Sequence, residues 1–415
     1  MSKKLGLAVA SALLAVASSA NAAGGIVAGD WTLDIGGVVN AYYTHTTFSG
    51  DNGSLVGYGG LNTKSNSLLG GGAGTNADQS TSNITTGLLP NYLAVSGKTR
   101  QNDLDVAFTI SINPGASTTG AGYQGSQQEN RQAFLTFGDK SWGSIKLGKD
   151  LGIFASDAIL NDMTLLGVGS GAGGLAGNTT TTGRIGQGFI YADWKSQVAY
   201  SSPNWNGFSF TAGVTQGWNA VDNAGIPGTG TSTDRSGSSP AFEGKASYEW
   251  AGDVAGKVWV SGISQKVEFA GALGSDRATA WDIGANVNVA GFGLTGYYYK
   301  GDGIGQTVQL NGGFDATGRS RDSDGWYVQG TYTIPGVGTK LGASYGRSNL
   351  DGNSAERATL DELKDSMWVV GVYHPLTKHL NLVAEYSNNK SELDTTGGNL
   401  EAKAKTVSLG GILFF

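Results

Sequence analysis

Apolar and polar residues alternate strictly over many short segments of the chain. Between Trp31 and Tyr43 every odd position is apolar or small, and from Leu104 to Ile112 every even position is apolar. Successive side chains of a β-strand point to opposite faces, so each such segment has one apolar and one polar face. The pattern predicts sixteen strands, near 31–44, 92–99, 103–113, 130–137, 144–149, 195–201, 208–216, 242–250, 256–264, 280–289, 292–300, 325–334, 340–347, 367–374, 380–388 and 405–415.

The connections between these segments alternate between long and short. The long ones are rich in Gly, Ser, Thr and Asn, which is typical of solvated loops, and they fall at about 45–91, 114–129, 150–194, 217–241, 265–279, 301–324, 348–366 and 389–404. All seven prolines lie in connections or at their edges, as expected because proline cannot donate to a strand ladder. Long loops on one side and short turns on the other are typical of outer-membrane barrels, and an even strand number places both termini on the periplasmic, short-turn side.

Aromatic residues collect at the ends of the predicted strands, as they do at the two lipid–water boundaries of a membrane barrel. A closed sheet pairs every backbone group without leaving an edge, so the first strand must pair with the last. We therefore predict an all-β fold, a transmembrane antiparallel β-barrel of about 16 strands that encloses an aqueous lumen. A soluble β-sandwich would also show alternation, but it would not explain the aromatic ends. The aromatics given this boundary role are Trp31, Tyr42, Tyr43, Tyr92, Trp142, Tyr200, Trp205, Trp250, Tyr297, Tyr298, Tyr299, Trp368 and Tyr373.

The first residues have the form of an export signal. Lys3 and Lys4 precede an apolar run from Leu5 to Val16, and Ala20-Asn21-Ala22 has the small-x-small form of a cleavage site. We predict a signal peptide over 1–22 and a barrel over 23–415. No later run reaches eighteen apolar residues, so no membrane-spanning helix is expected.

Composition narrows the chemistry. The formal net charge of −6 argues against nucleic acid as a partner, and the absence of cysteine excludes thiolate metal sites and covalent haem. The three histidines, His45, His374 and His379, fall on opposite sides of the predicted barrel, so they cannot form one catalytic site. The sequence predicts no cofactor and no enzyme, and a barrel enzyme is the less favoured alternative.

Three segments carry a family resemblance. They are Asn130 to Phe137 followed by Trp142 to Gly148, Tyr200 to Phe208, and the terminal Leu413-Phe414-Phe415. With the strand rhythm, they make the chain similar to the Gram-negative general porins over essentially all of the mature sequence. Phe415 corresponds to that family's C-terminal assembly signal.

The resemblance implies a homotrimer in the cell outer membrane, in contact with lipid and lipopolysaccharide, that passes small hydrophilic solutes and ions by passive diffusion. It also implies that the third long loop, about 150–190, folds into the lumen, where acidic groups face a basic wall. The acids here are Asp150, Asp157 and Asp162, in a loop that departs from the family by its many glycines. A substrate-specific channel for a sugar or an anion is the alternative function.

Strand parity selects residues for the pore wall. The basic candidates are Lys98, Arg100, Arg131, Lys146 and Lys195, with Lys245 and Lys340 on the same face, and the inward acids are Asp105, Glu243, Asp282 and Glu385. Arg131 matches the family motif, although its parity is outward. Two interpretations stay open: the charges keep the lumen hydrated, or Lys98 and Lys146 form a transverse field with Asp157 and Asp162. Because most aromatics follow the outward parity, no aromatic track for sugars is predicted.

Overall fold

The computed structural model describes residues 25–50, 80–117, 128–171, 180–220, 239–269, 273–358 and 360–415, so the predicted signal peptide lies outside the described residues. The strands within these ranges are β1 (Ile26–Ala28), β2 (Trp31–Gly50), β3 (Ser80–Thr85), β4 (Tyr92–Gln101), β5 (Leu104–Pro114), β6 (Gln128–Glu129), β7 (Ala133–Asp139), β8 (Gly143–Leu151), β9 (Trp194–Ser201), β10 (Phe208–Thr215), β11 (Ala241–Trp250), β12 (Val254–Glu268), β13 (Ser275–Val289), β14 (Phe292–Asp302), β15 (Asp322–Thr333), β16 (Lys340–Asp351), β17 (Glu362–Pro375), β18 (Leu380–Thr395) and β19 (Gly398–Phe414).

These segments form one closed antiparallel sheet. β3 and β4 both pair with β2, and β6 and β7 both pair with β5, so each of these two pairs is a single interrupted strand. β1 folds back on the start of β2. The described residues therefore build a barrel of sixteen strands, which confirms the predicted fold class.

The last strand closes the barrel against the first long one. In β19 Leu413 lies opposite Val39, and Leu409 lies opposite Tyr43. Beyond the ladder, the backbone N–H and C=O of Phe415 both bond to Gly37. The predicted pairing of first and last strands is confirmed.

Several strands run further than predicted, and the longest extensions are toward the long connections. β18 continues to Thr395 and β17 begins at Glu362, beyond the predicted 380–388 and 367–374. In these extensions Lys390 and Glu392 point outward while Asn389 and Ser391 are buried on the inner face. Both faces are polar there, so apolar alternation could not reveal the extra residues.

The outer face is apolar along its middle. The exposed fraction is 55% for Val39 and Ile110 and 65% for Leu294, as suits side chains that face lipid. Aromatic pairs flank this band, among them Trp281 with Tyr298, Trp368 with Tyr386, Trp205 with Phe208, and Phe292 with Tyr332. Within the described ranges, no helix is both long and apolar enough to cross a membrane.

Two connections lie against the inner faces of the strands. The first inner loop is described over residues 152–171 and 180–193, and it contains helix α1 (Ser156–Leu160) and a 3-10 helix (Met163–Leu166). The second inner loop, residues 303–321, joins β14 to β15 and bonds to the first through Tyr191 N–H and the carbonyl of Thr307, 2.9 Å apart. Buried apolar side chains of both loops, such as Phe154 and Leu310, form one cluster with inward residues of the strands. The second loop differs from the solvated loop predicted from its composition.

Candidate functional site

A cavity of about 640 Å³ lies between the first inner loop and the inner face of the barrel. Its loop side is apolar and includes Ile153, Ile159, Leu160 and Leu165. Its strand side carries more bases than acids. The bases that line it are Lys98, Arg131, Lys146, Lys245 and Lys257, and the acids are Asp34, Asp150 and Glu249. The site therefore has two walls of opposite character.

Glu243 of β11 holds the start of the first inner loop. One carboxylate oxygen accepts hydrogen bonds from the backbone N–H groups of Ile153 and Phe154, at 2.9 and 2.8 Å. The other accepts from Lys195 at 2.6 Å and from Thr215 at 2.7 Å. Lys195 is fully buried, so this predicted pore-wall base supports the loop instead of facing the cavity.

Glu385 of β18 holds the other end of the helical part of the loop. It accepts from the backbone N–H groups of Val168 and Gly169, both at 2.8 Å, and from the hydroxyl of Tyr373 at 2.6 Å. We call Glu243 and Glu385 the two clamps, because they fasten the loop on either side of its helices. Sequence parity placed both acids on the inner face but gave no sign of what they bind.

Inward tyrosines fasten the same loop through its carbonyl groups. The hydroxyl of Tyr42 donates to Leu166 at 2.8 Å, and that of Tyr327 donates to Ala158 at 2.9 Å. This corrects the predicted boundary role of part of the aromatic set. The members that are instead buried on the inner face are Tyr42, Tyr92, Tyr297, Tyr299 and Tyr373. Their parity, opposite to that of the apolar residues beside them, was the available signal.

Arg184 fixes the returning part of the loop. Its guanidinium donates to the carbonyl of Met367 at 3.0 Å and to the hydroxyl of Ser344 at 2.6 Å, and it lies 5.7 Å from the ring centre of Tyr327. Burial lowers the pKa of Arg184, and the charge of Asp162 partly offsets this. The loop is therefore attached to strands on several sides of the barrel.

Asp157 of α1 pairs directly with two strand lysines. Its carboxylate lies 2.6 Å from Lys257 and 3.2 Å from Lys245. Burial alone would raise the pKa of Asp157, but the charges of the two lysines outweigh it and hold that pKa below its usual value. Asp157 thus forms contact pairs, not one pole of a field that spans open space.

The other two predicted loop acids have different surroundings. Asp150 lies in β8, not in the loop, and bonds to Lys146 and to Gln132. Asp162 accepts from the backbone N–H and the hydroxyl of Thr164 and caps the 3-10 helix. Burial raises the pKa of Asp162. Its hydrogen bonds and the charge of Arg184 lower that pKa, but by less, so the pKa stays above its usual value.

In the ion pairs that Asp150 and Asp157 form, the lysine amine is more exposed than the carboxylate. The side chains of Lys146, Lys245 and Lys257 are 22 to 24% exposed, whereas their partners Asp150 and Asp157 are 4 to 7% exposed. An additional carboxylate, that of Glu249, lies 3.1 Å from Lys257 and is itself half exposed near a short turn. Lys257 was missed by the sequence analysis, although its parity, opposite to that of Val258, indicated an inward side chain.

Lys98 and Arg100 differ in their pairing. Lys98 is exposed on the inner side of β4, and no carboxylate among the described residues lies within ion-pair distance of it. Arg100 lies near a short turn and pairs with Asp105 at 2.8 Å and Asp139 at 3.0 Å.

Arg131 lines the cavity despite its outward parity. It lies in the break between β6 and β7, which interrupts the alternation on which parity depends. It pairs with Glu129 at 2.6 Å and lies 5.7 Å from the ring centre of Trp194.

The histidines lie apart from the cavity lining. A ring nitrogen of His45 lies 2.8 Å from the hydroxyl of Ser82, and one of His374 lies 2.9 Å from that of Thr339. Across the described ranges, no group of three or more potential metal ligands is assembled.

Comparison with known proteins identifies one family and several solved structures with a similar fold. A family model described as Gram-negative porin matches residues 8–394, whereas no curated protein matches the chain. The outer membrane channel DcaP of Acinetobacter baumannii is 16% identical, with a TM-score of 0.66 over 94% of this chain and 99% of that one. An anion-selective porin from Comamonas acidovorans is 14% identical, with a TM-score of 0.59 over 93% and 100%. The trimer form of OmpT from Vibrio cholerae is 13% identical, with a TM-score of 0.51 over 93% and 99%. At sequence identities of 13 to 16%, the similarity to these three structures is a similarity of fold alone.

Proposed function

The chain belongs to the Gram-negative porin family, and from this premise we propose that its channel prefers small hydrophilic anions to cations. As an outer-membrane porin it provides a channel for passive diffusion. The proposal concerns which solutes pass most readily.

The observation that carries it is the unequal exposure of the ion pairs in the cavity. The open lysine amines can donate hydrogen bonds to a passing anion, whereas the carboxylates of Asp150 and Asp157 are covered and already accept bonds from these lysines. Glu249 is the exposed carboxylate of the set and pairs with Lys257 alone. Lys98 adds a positive charge without a paired carboxylate in the described ranges. The net charge of −6 acts over longer distances and is screened beyond about 8 Å at physiological ionic strength.

We further propose that the first inner loop, predicted at about 150–190, narrows the channel. Its many bonds to opposite strands support a fixed position against the wall. The anion-selective porin from Comamonas acidovorans has a similar fold, which is consistent with the proposed preference.

The proposed assembly is an exported homotrimer surrounded by lipid and lipopolysaccharide. The apolar outer band of the barrel supports contact with lipid. The similar fold of the OmpT trimer from Vibrio cholerae supports three copies.

Reversal potentials in a potassium chloride gradient test the preference. For purified protein in a planar bilayer, the reversal potential should have the sign expected of a channel that passes chloride more readily than potassium. Replacing Lys98, Lys245 and Lys257 together by glutamine should reduce the chloride preference severalfold. The matched control is Lys403→Gln, because Lys403 points outward beside Glu401 and away from the lumen.

Two results would contradict the proposal. One is a cation preference in the unmodified protein. The other is an unchanged permeability ratio in a triple variant that still runs as a folded, heat-modifiable band on a gel.

A further inference from the structure

We propose that the cavity beneath the first inner loop binds organic anions that carry a compact apolar body, such as aromatic carboxylates. This inference rests on the proposed anion preference and adds a substrate class to it. It follows from the two unlike walls of one cavity.

The apolar wall is the part that a simple ion channel does not require. Ile159 and Leu160 at the end of α1, and Leu165 of the 3-10 helix, line the cavity together with Leu89, which lies between β3 and β4. Each of these side chains is 4 to 8% exposed, so the wall consists of their edges. Apolar surface beside water is unfavourable, so a solute that covers this wall gains free energy by the hydrophobic effect. Chloride has no surface of this kind.

The basic wall supplies the complementary charge. The amine of Lys146 lies 4.8 Å from the ring centre of Phe134, and Phe134 itself lines the cavity. Lys98 and Lys245 line the same side, together with hydroxyls such as that of Thr136. A carboxylate can therefore meet several donors while its apolar body lies against the opposite wall.

Cavity size fits this class of solute. The volume of about 640 Å³ is within the range of about 300 to 1,000 Å³ that is usual for sites that bind small organic molecules. Covering about 60 Å² of ring surface corresponds to about tenfold tighter binding. An aromatic carboxylate should therefore bind about tenfold more tightly than acetate.

Block of the chloride current measures this difference. Purified full-length protein in a planar bilayer is titrated with benzoate, acetate and benzylammonium. We expect benzoate to reduce the single-channel current to half at about one tenth of the acetate concentration, and benzylammonium to have no effect at that concentration.

Variants separate the two walls. Leu160→Ser should bring the half-blocking concentration of benzoate close to that of acetate. Ile159→Thr is a second variant of the same wall. The matched control is Leu376→Ser, because Leu376 is exposed in a short turn outside the cavity.

The outcomes distinguish the two proposals. Equal block by benzoate and acetate in an anion-preferring channel would overturn the binding site and leave the anion preference intact. A cation-preferring channel would contradict the preference itself. The comparison of solutes on the unmodified protein decides the inference even if neither wall variant folds.

Discussion

The clamp at Glu385 should control how firmly the first inner loop stays in place. Glu385→Ala removes the acceptor of two backbone hydrogen bonds, from Val168 and Gly169, and of the hydroxyl bond from Tyr373. The second clamp, at Glu243, is untouched. The variant should therefore release one end of the loop and leave the other fastened.

The size of the effect follows from these bonds. A hydrogen bond to a charged group contributes about 1.5 to 3 kcal/mol, so the two backbone bonds together contribute about 3 to 6 kcal/mol. We take the lower end, about 3 kcal/mol, as the net loss. Since 1.4 kcal/mol is a factor of ten, the released state of that loop end should become about a hundredfold more populated.

Single-channel recording at low voltage detects this change. Glu385→Ala should show frequent transitions to a second conductance level and greater current noise than the unmodified protein. Glu385→Gln is the matched control, because the amide oxygen can still accept from both backbone N–H groups. Records of Glu385→Ala that match those of the unmodified protein, in a protein that folds, would show that the clamp does not hold the loop.

Three other predictions concern the pH response, the closure of the barrel and the loop contacts. Because the pKa of Asp157 is held below its usual value near 3.8, its ion pairs stabilise the loop at higher pH and are lost as the pH falls through that lowered value. Asp157→Asn should therefore change the permeability ratio at pH 5 to 7, and equal ratios for this variant and the unmodified protein in that range would contradict the prediction. Gly37→Val should block folding as seen by gel mobility, because a Cβ there meets a backbone carbonyl of β4 and lies 2.7 Å from the ring of Phe415, whereas Gly296→Ala, with open space around it, should fold normally. Tyr327→Phe loses its bond to a loop carbonyl and should lower the free energy of unfolding by about 1 kcal/mol, measured by thermal or denaturant unfolding.

The strands could be predicted from the sequence because lipid and water impose opposite demands on their two faces. Every predicted segment is found as a strand in the barrel. Errors arise where that contrast is weak, as in β18 from Asn388 to Glu392, where polar residues lie on both faces. Arg131 shows a second cause, because the break before β7 resets the parity used to assign its side chain.

The contacts inside the barrel were less predictable. Strand parity shows which side chains point inward, but it does not show which loop residues pack against them. Glu243 and Glu385 were placed on the inner face, but their partners are loop N–H groups more than 80 residues away, at separations of 89 and 217 residues for Phe154 and Val168. Because every residue except proline has a backbone N–H group, the sequence does not show which of these groups binds a given carboxylate. For the same reason the second inner loop, rich in glycine and polar residues, looked like an exposed connection.

The long separations between the first inner loop and its anchors also set an order of assembly. Ala158 bonds to Tyr327, which lies 169 residues later in the chain, and Gly169 bonds to Glu385, which lies 216 residues later. Contacts so distant along the chain cannot form until the last strands exist and have met the first, which makes them slow steps in folding. The first inner loop of this barrel therefore reaches its final position last, after the sheet around it has closed.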